Sequence, residues 1–231
     1  MNDPNLNLLE AAVRLLEPLL NELVLVGGCA AGLLITDSAA SGIRVTKDVD
    51  MFAEVASYAE YATTLSERLR ALGLNEDHTE DAPTCRWRRG DLIIDVIPSD
   101  EGILGFSNHW CAPAIASARD MEIAGIRTRV IASTYFLATK LEAFRGRGND
   151  DYSSHDLEDV VTVIDGRPEI VDEVRSALAD VRGYIASEIR RLLDTRQFLD
   201  ALPGFLLPDA ASQGRQPLLR ERLNALAQSD G

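Results

Sequence analysis

The sequence predicts an α/β fold, a small mixed sheet flanked by helices, followed by a helical C-terminal region. Three observations predict it. The apolar run Leu23-Val24-Leu25-Val26 meets the pair Gly27-Gly28 and then a run of small residues, the pattern of a strand turning tightly into a helix. Residues 84–97 and 121–131 have extended character and fold back around Gly90-Asp91 and Gly125 as hairpins. From Ser133 onward apolar residues recur at helical spacing. These place a core at residues 1–132 and a helical region at 133–231.

Taken in order, Asn2-Asp3-Pro4 caps and starts a helix whose stripe is Leu6, Leu9, Ala12, Val13, Leu16 and Leu20. Pro18 bends that helix or ends it. Strand one is 23–26, and a tightly packed helix runs from Cys29 to about Ile35. Ser38 to Gly42 reads as a loop, and Arg44 to Phe52 as the second strand. Tyr58, Tyr61, Ala62, Leu65, Leu69 and Leu72 keep a helical period, with Gly73 suited to its end. Residues 75–81 are a polar loop. Thr84 to Arg89 alternates, with Cys85 and Trp87 on one face and Arg86 and Arg88 on the other. Leu92 to Ile97 follows as a buried strand closed by Pro98. Gly102 to Pro113, with Phe106, His109 and Trp110, is a long loop. Ser133 caps a helix beginning near Tyr135; beyond the loop Arg145-Gly146-Arg147-Gly148, a second helix contains residues 155–159. A long helix spans 181–199, Pro203-Gly204 breaks it, residues 206–217 are loop-like, and a short final helix at 218–227 frays at its end.

Composition bounds the function. The chain has 231 residues and a formal net charge of −14, which argues against broad, non-specific nucleic-acid binding but not against local contact with an RNA end. No apolar run approaches a membrane span, and MNDPNLNLLE has no basic leader, so the expectation is a cytoplasmic protein without a membrane partner. Cys29, Cys85 and Cys111 make no C-x-x-C pair, so neither a disulfide framework nor a zinc site is indicated.

The candidate chemistry begins with Asp48 and Asp50. In a strand their side chains share one face, with Val49 and Met51 on the other. Two such carboxylates repel unless a cation joins them, and oxygen-only donors suit Mg²⁺. Solvent-facing residues on an edge strand are the plain alternative. Asp95 lies within an apolar strand, where a carboxylate is costly unless it is paired or binds metal; the two readings are metal ligation or general-base work, and a buried salt bridge to an arginine. Lys140 is either a neutraliser of phosphate charge or a surface lysine. Asp156 and Asp159 share a helix face, either for function or for favourable placement near a helix N-terminus.

Gly27-Gly28, the run Arg44-x-Thr46-x-Asp48-x-Asp50, Asp95, Lys140 and Asp156-x-x-Asp159 together resemble the polymerase β-like nucleotidyltransferase superfamily, and within it the AbiEii/AbiGii and MenT-like toxin-type enzymes. The likeness covers roughly residues 23–165. It implies a nucleotidyltransferase core whose active site the helical region completes. It also implies a two-ion Mg²⁺ site on Asp48, Asp50 and Asp95, with Asp95 helping to activate the acceptor. Gly27, Gly28, Cys29, Arg44, Thr46, Lys140 and Asp159 would hold the NTP donor, and Lys140 and Asp156 would join the catalytic set. The implied reaction moves a nucleoside monophosphate to an acceptor hydroxyl, with tRNA 3′ ends leading, as the toxin of a toxin–antitoxin or phage-defence pair with a cognate antitoxin protein. Two positions depart from the pattern: Cys29 stands where a Ser or Thr is usual, and His155 where a basic residue precedes the D-x-x-D.

Two rival readings stand beside this one. In the first the same chemistry acts on a small molecule of aminoglycoside type, or on a protein hydroxyl. In the second the chain is an inactive nucleotide-binding module, which Cys29 alone supports.

Overall fold

A computed structural model describes residues 3–40, 42–55, 57–100, 103, 108–147 and 151–230. The expectations that touch Asn2, Ser41, Gly102, Phe106 and Gly148 lie outside these residues. The chain divides into two compact units: residues 4–30 with 44–132, and residues 1–3 and 31–43 with 133–231.

The first unit carries a seven-stranded mixed sheet. Its strands are β1 (Leu23–Val26), β2 (Val49–Ala53), β3 (Asn75–Glu76), β4 (Arg86–Arg89), β5 (Leu92–Pro98), β6 (Arg119–Ile123) and β7 (Ile126–Val130), in the order β3-β4-β5-β2-β1-β7-β6. β1 is antiparallel to β2 and parallel to β7, while β2 and β5 run parallel. Both expected hairpins form, as β4–β5 and β6–β7. Gly90 turns the first at φ +60, a left-handed backbone that L side chains rarely adopt. Every residue of β1 is buried, as befits a strand with neighbours on both edges.

Helix α1 (Leu6–Leu16) lays Leu9, Ala12, Val13 and Leu16 on the sheet, and Pro18 converts its end into a 3₁₀ turn at Glu17–Leu19. Helix α2 (Gly27–Leu34) follows β1 without a linking residue. A π-helical stretch at Glu60–Leu65 leads into α3 (Ser66–Ala71), which closes before Gly73. Tyr61 is buried there and donates its hydroxyl to the Val96 carbonyl at 2.9 Å, whereas Tyr58 of the expected stripe is exposed.

Three local expectations are corrected in this unit. The second strand begins at Val49, not Arg44. Its ladder with β1 ends at the pair Val26–Asp50, so Asp48 would have to pair with residue 28, which has already turned into helix. The polar stretch after Asn75 contributes the short edge strand β3, paired to β4. Cys111 to Pro113, expected as the end of a loop, instead open a helical turn, α4 (Cys111–Ala116), with Pro113 at its third position.

The second unit is helical: α5 (Ser133–Arg147), α6 (His155–Gly166), α7 (Ile170–Arg175), α8 (Ala179–Leu193), α9 (Arg196–Ala201), α10 (Ala210–Gln213) and α11 (Gln216–Ala227). The helix expected over 181–199 is two, because Thr195 is extended and its hydroxyl caps the Arg191 carbonyl at 2.8 Å. The final helix is anchored rather than frayed. It buries Leu219, Leu223 and Leu226, and Arg222 donates to the Ile164 and Asp165 carbonyls at the end of α6. Arg215 binds the nearly inaccessible Asp165 carboxylate at 2.9 Å and reaches Asp37 at 2.7 Å. No helix among the described residues is long and apolar enough to cross a membrane.

Candidate active site

Sheet register lines up one row of side chains. Arg86 on β4 stands opposite Asp95 on β5, Asp95 opposite Asp50 on β2, and Asp50 opposite Val26, the last residue of β1. Cross-strand neighbours on one face lie within contact distance, so two carboxylates and a guanidinium are brought together by hydrogen-bonding register alone.

Arg86 joins Asp95 to Asp48. Its Nε donates to Asp95 Oδ1 at 2.8 Å, and its Nη2 donates to Asp95 Oδ2 and to Asp48 Oδ2, both at 2.7 Å. The two-pronged pair with Asp95 is the strong geometry for guanidinium and carboxylate. It also raises the pKa of Arg86 above an arginine's already high value. Asp95 is 6% exposed, so the expectation of a carboxylate inside an apolar strand holds, and the arginine pairing left open for it is realised with Arg86. Asp48 is drawn to the same group from just before β2 rather than from within it. Burial pushes the neighbouring Cys85 thiol up to about 12, with the charges of Asp95 and Asp50 adding to the effect.

The glycine pair does two jobs. Gly27 is left-handed at φ +68, and the space a Cβ would need there is filled by the Asp50 carboxylate. A Cβ on Gly28 would lie 2.5 Å from Nη2 of Arg44 and 2.8 Å from a Thr46 methyl. The pair therefore admits an acid and an arginine to the first turn of α2. Segment 44–46 is held by the buried Asn5 side chain, which donates to the Arg44 carbonyl at 3.0 Å and accepts from the Thr46 amide at 2.9 Å. Cys29, where a hydroxyl was expected, lies 2.7 Å from Thr46 Oγ1 and donates to the Asp48 carbonyl at 3.2 Å. Its thiol ties the approach to Asp48 onto α2.

In the helical unit Lys140, Asp156 and Asp159 also come together. The Lys140 ammonium lies 3.1 Å from Asp156 Oδ1 and 2.7 Å from Asp159 Oδ2, and all three side chains are buried. Lys140 is thus no surface lysine. Ser154 caps α6 by accepting from the Leu157 amide, and the exposed His155 pairs with Glu158 at 3.2 Å rather than with the two aspartates.

Asn5 and Arg86 are the two residues of the site to which sequence reasoning gave no role of their own. Asn5 carries no local signal. Arg86 does, since counting outward from a two-residue turn at 90–91 pairs 89 with 92 and hence 86 with 95.

The donor chemistry of Asp48, Asp50 and Asp95, hard carboxylate oxygens only, fits a cation such as Mg²⁺. Among the described residues, however, no three His, Cys, Asp or Glu side chains already gather in a metal-holding group. The cation found between Asp48 and Asp95 is Arg86.

No protein-family model matches the sequence, and no curated protein matches it. In three dimensions the chain is similar to the crystal structure of an antigenic nucleotidyltransferase-like protein from Paracoccidioides brasiliensis. The TM-score is 0.51 at 16% identity, covering 89% of this chain and 96% of that one. It is also similar to JHP933 from Helicobacter pylori, with a TM-score of 0.47 at 14% identity, covering 97% of this chain and 88% of that one. The first of these likenesses shows that the α/β sheet with its flanking helices has the fold of that nucleotidyltransferase-like protein.

Proposed function

We propose that the chain is a nucleotidyltransferase that moves a nucleoside monophosphate from an NTP to an acceptor hydroxyl. The observation that carries this reading is that Asp50 stands opposite Asp95, and Arg86 links Asp95 to Asp48, at the end of the sheet where Gly27-Gly28 opens α2 and Arg44 lies beside Gly28. Backbone N–H groups at a helix start, with a guanidinium beside them, suit phosphate oxygens. Asp48 and Asp50 would hold a divalent ion, which supplies the positive charge that phosphoryl transfer needs. In the reaction the acceptor oxygen bonds to the α-phosphorus and the bond from that phosphorus to the bridging oxygen breaks. Pyrophosphate leaves, and the acceptor's proton passes to a carboxylate of the set. Arg44 and the first turn of α2 orient the phosphates, while Asn5 and Cys29 hold the segment that presents Asp48.

The acceptor we propose is an RNA 3′ hydroxyl, with tRNA ends leading, in keeping with the toxin-type enzymes whose motifs the chain resembles; a cognate antitoxin follows from that role. The net charge of −14 favours a second reading, a cationic small-molecule acceptor. One assay separates them. Purified protein is incubated with each labelled NTP, Mg²⁺, and either total tRNA or aminoglycosides, beside the Asp48→Ala/Asp50→Ala double variant. Label on tRNA that the variant loses supports the first reading, and label on the aminoglycoside alone supports the second. Transfer that persists undiminished in the variant, or no transfer to any acceptor, overturns the proposal.

A further inference from the structure

Resting on the nucleotidyl-transfer reading of the carboxylates, the geometry points to Arg86 as a positioning residue that takes the place of one metal ion: the site binds one divalent ion, not two. Both oxygens of Asp95 are already engaged by this guanidinium, at 2.8 and 2.7 Å, and so is one oxygen of Asp48, at 2.7 Å. An ion at Asp95 would have to break a bidentate pair on a side chain that is 8% exposed. Arg86 cannot yield by losing its proton, because a guanidinium stays charged in proteins. Nor does it arrive by chance, since the β4–β5 register sets residue 86 directly across from residue 95. Arg86 thus fixes Asp95 and Asp48 before any metal arrives.

The test counts Mn²⁺ bound to the full chain by electron paramagnetic resonance, with no nucleotide present, and follows thermal unfolding with and without Mn²⁺. Wild type should bind one ion. Arg86→Gln should bind two, lose the second when combined with Asp95→Asn, and melt below wild type without metal but regain most of the difference with it. Arg86→Lys, which cannot form the two-pronged pair, should bind a second ion more weakly than Arg86→Gln does. A merely structural arginine would lower the melting temperature equally with and without metal. Two ions on the wild type, or one on Arg86→Gln, would overturn the inference while leaving the transferase reading in place. No Mn²⁺ on either protein would overturn both. If Arg86→Gln fails to fold, one ion on wild type with a second, weaker ion on Arg86→Lys supports the inference, and equal counts on the two overturn it.

Discussion

Asp50 fills the space that a side chain on Gly27 would need, so the acid and the glycine form one unit of structure. Gly27 must be bare for Asp50 to lie against the start of α2, and its φ of +68 is strained for any other residue. Gly27→Ala should therefore cost about 1–3 kcal/mol of stability, the range for backbone strain and local displacement. It should also reduce nucleotidyl transfer as far as Asp50→Ala does. Urea denaturation beside the labelled-NTP assay checks both; a variant with wild-type stability and transfer would refute the coupling.

Lys140 pairs with both Asp156 and Asp159, and all three are buried. Removing one partner of a buried ion pair leaves charge without its counterpart, at a cost of about 3–5 kcal/mol. Lys140→Met should show that loss in chemical denaturation. Because neutralising the acids removes the charge that Lys140 had paired, the triple variant with Asp156→Asn and Asp159→Asn should recover much of it.

Alkaline pH should loosen the sheet unit. Burial raises the Cys85 thiol from 9.0 to about 12 and moves the Tyr61 phenol upward as well. Between those values the unfolded chain has lost the Cys85 proton while the folded chain still holds it, so stability falls as pH rises from about 9. For one such group the slope is about 1.4 kcal/mol per pH unit. Cys85→Ala should move the onset upward to the tyrosine range, which thermal melts at pH 8 to 11 would show.

Much of this architecture was legible from residue types. The Leu23–Val26 run ending in two glycines, the turns at Gly90 and Gly125, and the proline at residue 18 each signal their own geometry locally, and each formed as expected. Asp95 announced itself as a carboxylate in an apolar strand. What could not be read locally depends on partners distant in the chain. Asp48 leaves the strand because β1 ends opposite Asp50, a fact of pairing between residues more than twenty positions apart. Asn5 holds residues 44–46 from the start of α1, and nothing around Asn5 marks it for that task. The split of the long helix at Thr195 rests on one hydroxyl choosing a carbonyl behind it. Arg86 is the intermediate case, since its position follows from the turn once the turn length is known.

The row Arg86–Asp95–Asp50–Val26 has a further consequence for how the protein ages and varies. Its members are spaced by interstrand hydrogen bonds, so the constellation is insensitive to the lengths of the connecting loops and acutely sensitive to phase. One residue inserted into β4 beyond the turn would rotate Arg86 to the opposite face and leave Asp95 facing its acidic neighbours without it. Backbone amides of β2 and β5 should accordingly be among the slowest in the chain to exchange with deuterium, and the constellation should persist until the sheet itself opens.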